Sequence, residues 1–488
     1  MAANSALTVA HGALEAAQKI LDLIQEKGIE MVDFRIVDVP GRQHHVTVPA
    51  CEVDVDQLIH GIAFDGSSIQ GFRGIEESDM VMRPVLTSAY VDPFMEAPTL
   101  GLNCTVYEPN GTRYERDPRY IAEKAEQYLA ATGIADKAFF GPELEFFLLD
   151  DVRFDSSANG AFYAVDSEEA VWNTGKGDGP NLAYKVKNKS GYFPLPPTDT
   201  QQDIRTAMVK ELMAAGIRVE RHHHEVATAG QAEINFRFDT LTKTADHTML
   251  YKYIVRNVAR RYGKVATFMP KPIFGDNGSG MHVHQSLFKG DTPIFYEEGG
   301  YGNLSETALY YIGGILKHAP AVLAFSNPST NSYKRLVPGY EAPVNLVFSK
   351  GNRSAAVRVP VAAVTPKSCR IEFRTPDGTS NPYLAFAAML MAGIDGIRNR
   401  IDPREHGFGP IDKNIYELDA AEKARIQSVP GSFEESLQAL EADHEFLLEG
   451  GVFTADFIQA WIDLKRSSEI APVNVRPHPY EFHLYLDL

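Results

Sequence analysis

Carboxylates recur in this chain at a spacing that gathers them on one face. In GPELEFF, Glu143 and Glu145 lie two residues apart. Strand alternation would send both to one side while Leu144 and Phe146 pack behind. A lone pair of this kind is ordinarily a solvated strand face, but the pattern repeats. In HHHEVATAGQAEINFRF, Gln231, Glu233, Asn235 and Arg237 alternate with Ala232, Ile234, Phe236 and Phe238. A hairpin centred near Ala229 would set Glu225 across from Glu233, and like charges so opposed repel unless a cation lies between them. His282 and His284 are two apart in GSGMHVHQS, and CRIEFR alternates Arg370, Glu372 and Arg374 with Cys369, Ile371 and Phe373. Four ionisable faces backed by large apolar residues are better explained by strands lining a polar cavity than by four wet surfaces. An oxygen-rich set with few imidazoles suits Mg2+ or Mn2+ over zinc, and five glutamates with a histidine are enough for two ions. Consecutive strand residues alternate faces, so His222, His223 and His224 cannot ligate together; His223 is the candidate among them.

Arginine is the second theme. Arg335, Arg353, Arg358, Arg370 and Arg374 cluster in the same half of the chain. Guanidinium groups fork onto carboxylates and phosphates, so arginines beside metal-binding carboxylates point to phosphoryl transfer. The glycine-rich FGDNGSG, Phe274 to Gly280, would let backbone amides approach a ligand closely. Neither GxxxxGK[ST] nor a strand-borne GxGxxG occurs, which excludes a P-loop and a dinucleotide fingerprint.

The elements that must position these groups form an α+β pattern. An amphipathic helix over about 11–27 ends at Gly28, and short strands from Met31 to Leu102 suggest a small sheet domain. The turn at Arg116–Arg119 marks a boundary, giving domains 1–115 and 116–488. In the second, strands alternate with helices over about 200–215, 244–262 and 383–400. Residues 150–200, rich in Gly, Asn, Ser, Asp and Pro, are expected to be long loops. At the C-terminus Phe482, Leu484, Leu486 and Leu488 alternate with polar residues and are expected to form a strand with one apolar face, buried against another subunit.

Of 488 residues, 44% are hydrophobic and 23% charged, which excludes disorder as the main state. The net charge of −17 argues against nucleic acid as a general partner. Three scattered cysteines without a CxxC suggest neither a disulfide framework nor a thiolate zinc site. The longest apolar run, Pro382 to Ile394, falls short of the roughly 18 residues that suggest a membrane span. With no secretory signal visible, the expected location is the cytoplasm.

Together FDGSSIQGF, GPELEFF, HHHEVATAGQAEI, KPIFGDNGSGMHVHQS, NSYKRLVPGYEAP, RSAAVRVP and RIEFRTPDGTSNPYLAF resemble bacterial type I glutamine synthetase, in that family's order over about residues 31–488. The resemblance implies a small N-terminal β-grasp-like domain, a larger catalytic domain with a curved antiparallel sheet surrounded by helices, and a dodecamer of two stacked six-membered rings. It implies that ATP phosphorylates glutamate and ammonia displaces the phosphate. Glu145, Glu225 and Glu233 would hold the metal nearest glutamate, and Glu143, His282 and Glu372 the metal on the nucleotide phosphates. Asn277, Gly278, Arg335 and Arg374 would bind glutamate. Arg353, Arg358 and Arg370 would bind the phosphates, Arg353 stabilising the group in transfer. Asp65 and Ser68, with Tyr192, Glu225 and Glu341 on a flap, would surround ammonium, Asp65 acting on the site of a neighbouring subunit. Phe238, His284, Ser286 and Lys367 match nucleotide positions. The family's usual tryptophan is Phe72 here, which keeps a stacking ring and loses the indole donor. Tyr416 matches a tyrosine that an adenylyltransferase modifies in some members. A γ-glutamyl-amine ligase is the rival enzyme, disfavoured by the retained acids Asp65 and Glu341. A non-catalytic scaffold is disfavoured because neither metal ligands nor phosphate arginines are lost.

Overall fold

The computed structural model describes residues 2–177, 179–338, 342–361, 365–413, 415, 418 and 420–488. The chain forms two compact units: residues 1–124 with 213–217, and residues 125–212 with 218–488.

The smaller unit begins with the helix Ala2–Lys27, which buries Ala17, Ile20 and Ile24 at helical spacing and stops at Gly28, whose φ of 59° a side chain would disfavour. Six strands follow: β1 (Met31–Val37), β2 (Gln43–Pro49), β3 (Ile62–Asp65), β4 (Asp79–Pro84), β5 (Tyr90–Asp92) and β6 (Thr99–Tyr107). They form one sheet in the order β2-β1-β6-β4-β3, with β5 on β6 and the β1–β6 pair parallel. Val32, Phe34 and Ile36 of β1 and Leu100, Leu102 and Cys104 of β6 are buried. Phe72 lies in this unit, 4% exposed and edge-on to Tyr114, so its ring belongs to the core and is not a free stacking face.

The larger unit is built on β7 (Lys137–Leu149), a hairpin of β8 (Asp151–Ser157) and β9 (Gly160–Asp166), β10 (Val219–His224), β11 (Gln231–Phe236), β12 (Asp239–Thr240), β13 (Val265–Thr267), β14 (Met281–Lys289), β15 (Thr292–Pro293), β16 (Asn345–Lys350), β17 (Ala355–Val359) and β18 (Ile371–Phe373). All but the hairpin join a curved, mostly antiparallel sheet with the order β10-β11-β7-β14-β18-β17-β16. Helices cover it. Pro382–Arg398 starts where the Asn381 side chain accepts from the Tyr383 N–H at 3.2 Å, and Pro382 has no N–H to leave unpaired. Glu306–Ser326 is long and apolar enough to cross a membrane, yet 83% of its apolar window is buried. It packs on Pro382–Arg398 so closely that a Cβ on Gly314 would sit 2.1 Å from the Ala392 carbonyl oxygen.

Two sequence expectations need correction. The stretch 150–200 is not all loop, because β8 and β9 pair through a two-residue turn, with Ser157 opposite Gly160. Ala158 and Asn159 make the turn, so no Asn-Gly or Asp-Gly pair sits at its two central positions to announce the hairpin. The C-terminus is not a strand: Pro479–Tyr485 is a helix. Its start was legible, since Pro479 occupies the first turn and His478 and Glu481 form a reciprocal cap, signals that outweigh a short alternation. Phe482 and Leu484 are exposed on it, and Leu486 just past its end. The three cysteines are free.

Candidate active site

Register across the central strands assembles the site. Glu145 on β7 faces Glu233 on β11, which faces His223 on β10. Glu143 is opposite Asn235 on one side and His282 on the other. One step along β14, His284 is opposite Glu372 of β18, which is opposite Arg358 of β17. Directly opposed strand residues share a face, so carboxylates, imidazoles and guanidinium groups converge while Leu144, Phe146, Ile234 and Phe373 fill the core behind.

The hairpin register differs by two residues from the sequence expectation. Glu233 pairs with His223, and Glu225 lies across from Gln231, its N–H donating to the Gln231 carbonyl at 2.8 Å. The turn tightens because Ala229 and Gly230 take φ of 61° and 71°. A slip of two keeps the face, so Glu225 still converges on the same point as Glu233.

A cavity of about 500 Å3 is lined by Glu143, Glu145, Glu225, Glu233, Glu372, His223, His282, Tyr192, Asn277, Gly278, Arg335, Arg353, Arg358 and Arg374. Ligand atoms of His223, Glu225 and Glu233 lie within 4.8 Å of one another, and so do those of Glu143, His284 and Glu372. His282 Nδ1 is 3.5 Å from Glu372 and 3.7 Å from Glu143, while His284 Nε2 is 3.1 Å from Glu143. Both imidazoles thus border the second carboxylate pair. Burial and the neighbouring charges of Glu145 and Glu233 push the Glu225 carboxyl up to about 9. Glu145 is raised first by burial as well. Burial also opposes ionisation of Glu143, but His282 and His284 outweigh it and hold that carboxyl well below its usual value. In the first group burial and mutual repulsion thus outweigh the nearby Arg335 and Arg353, whereas in the second the imidazoles prevail. Oxygen donors with an imidazole at the edge are a donor set that fits a hard divalent cation.

Arginine surrounds the Glu372 end. Arg358 Nε donates to Glu372 at 2.5 Å, and Arg374 Nε lies 3.3 Å from it. Arg374 Nη1 donates to the Arg353 carbonyl at 2.8 Å. Buried Arg335 is tied to the Thr375 carbonyl at 2.7 Å. The glycine loop must pass beside it: a Cβ on Gly278 would lie 2.3 Å from the Pro270 carbonyl oxygen, and one on Gly280 2.3 Å from Arg335 Nη2. The Gly280 N–H donates to Glu145 at 2.7 Å. Tyr192 is half-exposed, stacked on Phe193 at 3.9 Å and edge-on to His223 at 5.7 Å.

A second, more apolar cavity of about 560 Å3 shares Glu143 and Arg221 with the first and is lined by Phe139, Phe238, His284, Ser286, Lys367 and Arg370. Phe238 is 47% exposed, and Arg370 Nε donates to His284 at 3.2 Å. An apolar slot opening onto a charged chamber suits a nucleotide base with its phosphates directed inward.

Asp65 and Ser68 belong to the smaller unit. Asp65 accepts from the Ser67 N–H at 2.9 Å, the Ser67 hydroxyl at 2.6 Å and the Ser68 hydroxyl at 3.0 Å, which holds its exposed carboxyl below the usual value. Glu341 and Tyr416 lie outside the described residues. Gln231 lines the cavity as its strand face implied, whereas sequence reasoning overlooked Arg221, two positions from His223 on its own strand face.

Clustered arginines, paired acid clusters and an adjoining base-sized slot define a nucleotide-dependent enzyme of the α+β class. Residues 115–485 match the glutamine synthetase catalytic domain and 28–109 the glutamine synthetase beta-Grasp domain. The chain is 58% identical over 473 residues to a glutamine synthetase of Microchaete diplosiphon, covering 96% of this chain and 99% of the relative. It is 57% identical to one from Streptomyces filamentosus, covering 97% and 99%. A cryo-electron microscopy structure of Plasmodium falciparum glutamine synthetase superposes with a TM-score of 0.86 at 32% identity, covering 96% and 98%. The chain belongs to the glutamine synthetase family.

Proposed function

We propose that this chain condenses L-glutamate with ammonia to form L-glutamine, using ATP through a γ-glutamyl phosphate. The carrying observation is the single cavity in which two acid clusters meet Arg335, Arg353, Arg358 and Arg374, beside the slot lined by Phe238. A γ-carboxylate is a poor acyl donor. Transfer of the terminal phosphoryl group of ATP to a γ-oxygen releases ADP and makes phosphate the leaving group. The ammonia nitrogen then attacks the γ-carbon, the carbon–oxygen bond to phosphate breaks, and the proton lost from ammonium passes to an acid of the pocket.

Glu145, Glu225 and Glu233, and Glu143, His282 and Glu372, would hold two divalent cations, Mg2+ or Mn2+; when bound they polarise phosphate oxygens and offset negative charge. Asn277, Gly278, Arg335 and Arg374 bind and orient glutamate. Arg353, Arg358 and Arg370 bind the phosphates, with Arg353 on the group in transfer. Phe238 stacks on adenine, with His284, Ser286 and Lys367 around the nucleotide. Asp65, Ser68, Tyr192, Glu225 and Glu341 gather ammonium and take its proton, and Glu341 rides on a flap that excludes water.

The domain boundary lies near residue 115. The enzyme is cytoplasmic and forms two stacked six-membered rings, in which Asp65 of one subunit serves Glu225 and Arg353 of another. Inactive Asp65→Ala and Arg353→Ala variants should regain activity when denatured and reassembled together; proven co-assembly without activity would refute sharing. Tyr416 accepts AMP from an adenylyltransferase, which mass analysis after incubation should detect as an adduct on that residue. The central test is ADP release with glutamate plus ammonium against a panel of amines. Ammonium should be strongly preferred, and equal turnover with an organic amine would favour the rival ligase.

A further inference from the structure

We propose that Asp276 is a positioning residue that ties three separate segments of the active site to one another. It is fully buried at the head of the DNGSG loop and does not line the cavity. Its Oδ1 accepts from the N–H of Lys189 at 3.0 Å and of Asn277 at 2.9 Å, and its Oδ2 accepts from the N–H of Thr228 at 2.9 Å. The first amide belongs to the segment carrying Tyr192. The second belongs to the loop of Asn277 and Gly278, and the third to the turn between Glu225 and Glu233. None of the three amides lies in a strand of the sheet, so a buried acceptor must come from elsewhere. An ionised carboxylate can serve all three because it only accepts.

Other contacts make the tie stiff. Thr228 Oγ1 donates to the Val186 carbonyl at 2.5 Å, and the Gly191 N–H donates to Val226 at 2.9 Å. A Cβ on Gly191 would lie 2.5 Å from the Glu225 carbonyl oxygen, so the two segments touch backbone to backbone. Gln231 Nε2 donates to the Gly278 carbonyl at 3.1 Å, linking the turn to the glycine loop. Lys271 Nζ donates to the backbone carbonyl of Asp276 itself. Displacing any one segment therefore shifts Tyr192, Glu225 and Asn277 relative to one another, whereas Asp276 is not among the described residues that line the slot around Phe238 and Lys367.

The inference rests on the roles proposed above for Tyr192, Glu225, Asn277 and Gly278. Its test is Asp276→Asn, which keeps size and removes one acceptor. With the amide nitrogen toward Thr228 one N–H is orphaned, and with the opposite orientation two are, so the Thr228 contact is the one expected to break. The Michaelis constant for ammonium should rise about tenfold and that for glutamate less, with that for ATP within about twofold, on the scale of one lost buried hydrogen bond. Hydrogen exchange should quicken in 186–193, 225–230 and 276–280 and stay unchanged in β7. Unchanged exchange would overturn the proposal, and so would faster exchange or a lower melting temperature with all three constants unmoved. Asn277→Ala in the parent separates the two readings: an unchanged glutamate constant there faults the role of Asn277 and leaves the exchange result to decide on Asp276.

Discussion

Two places in the larger unit where histidine meets carboxylate, the His318 joint and the cavity, differ in how their charges are balanced. His318 is buried between two acids: Nδ1 is 2.7 Å from Asp443 and Nε2 2.8 Å from Asp395, and the ring stacks on Phe446 at 4.1 Å. Asp395 also accepts from Asn399 at 2.7 Å and lies 4.0 Å from Lys317. Every polar atom of that imidazole has a partner. In the cavity, Glu145, Glu225 and Glu233 crowd together, and burial and mutual repulsion push Glu225 up to about 9. The same residue types therefore make a finished structural joint in one place and a crowd of like charges in the other. Helices cause the first, placing one histidine from Glu306–Ser326 against one acid of Pro382–Arg398 and another just after Phe433–Ala442. A sheet causes the second, because antiparallel register stacks like residues across neighbouring strands.

Removing divalent cations should break the contrast most sharply. Chelation should abolish glutamine formation, and adding back Mg2+ or Mn2+ should restore it, while the environment of His318, followed by NMR, stays unchanged. Activity that survives exhaustive chelation would mean the acid clusters are not metal sites. Next in size is Arg353→Ala, expected to lower turnover about a thousandfold with a smaller change in ATP binding, as for other arginines on a phosphoryl group in transfer. Single-turnover kinetics would check it.

Glu225→Gln should lower activity at least about a hundredfold and yet stabilise the metal-free protein. The native carboxyl titrates near 9 and the unfolded one near its usual value of 4.5, so the native state holds the extra proton between them. Stability from this group is therefore full at low pH and falls as pH rises through that window. Chemical denaturation of metal-free parent and variant at several pH values should show the slope flattened by the substitution. The smallest effect is His318→Gln. Burial pulls the imidazole pKa down, but Asp395 and Asp443 outweigh it and hold it above the usual 6.5. Its stabilisation is present below that value and is lost as pH rises through the raised one. The variant should lose roughly 1–2 kcal/mol at pH 6, a figure reduced because Asp443 is partly in water. Turnover per folded enzyme should not change.

Much of the site was legible because strand chemistry has a period of two. Glu143 with Glu145, His282 with His284, and Arg370 with Glu372 and Arg374 announced shared faces before any fold was known. What escaped was anything depending on register or on irregular backbone. The pairing of Glu233 with His223 instead of Glu225 turns on where the chain reverses, and a shift of two residues leaves the alternation unchanged. Phe72 read as a stacking ring because it occupies the position of the family's usual tryptophan, yet packing on Tyr114 takes it into the core. The C-terminal alternation was overridden by a proline and a reciprocal cap.

The sequence by itself determined the residue types, their faces and the family, since period-two patterning and long motifs are local properties. Only the tertiary structure decided which faces meet. Glu145 finds Glu233, and His284 finds Glu372, through pairings between strands far apart in the chain. Asp276 shows the same limit in one residue. Only folding brings the amides of Lys189 and Thr228 to its oxygens, because a buried N–H must find an acceptor wherever the packed chain supplies one.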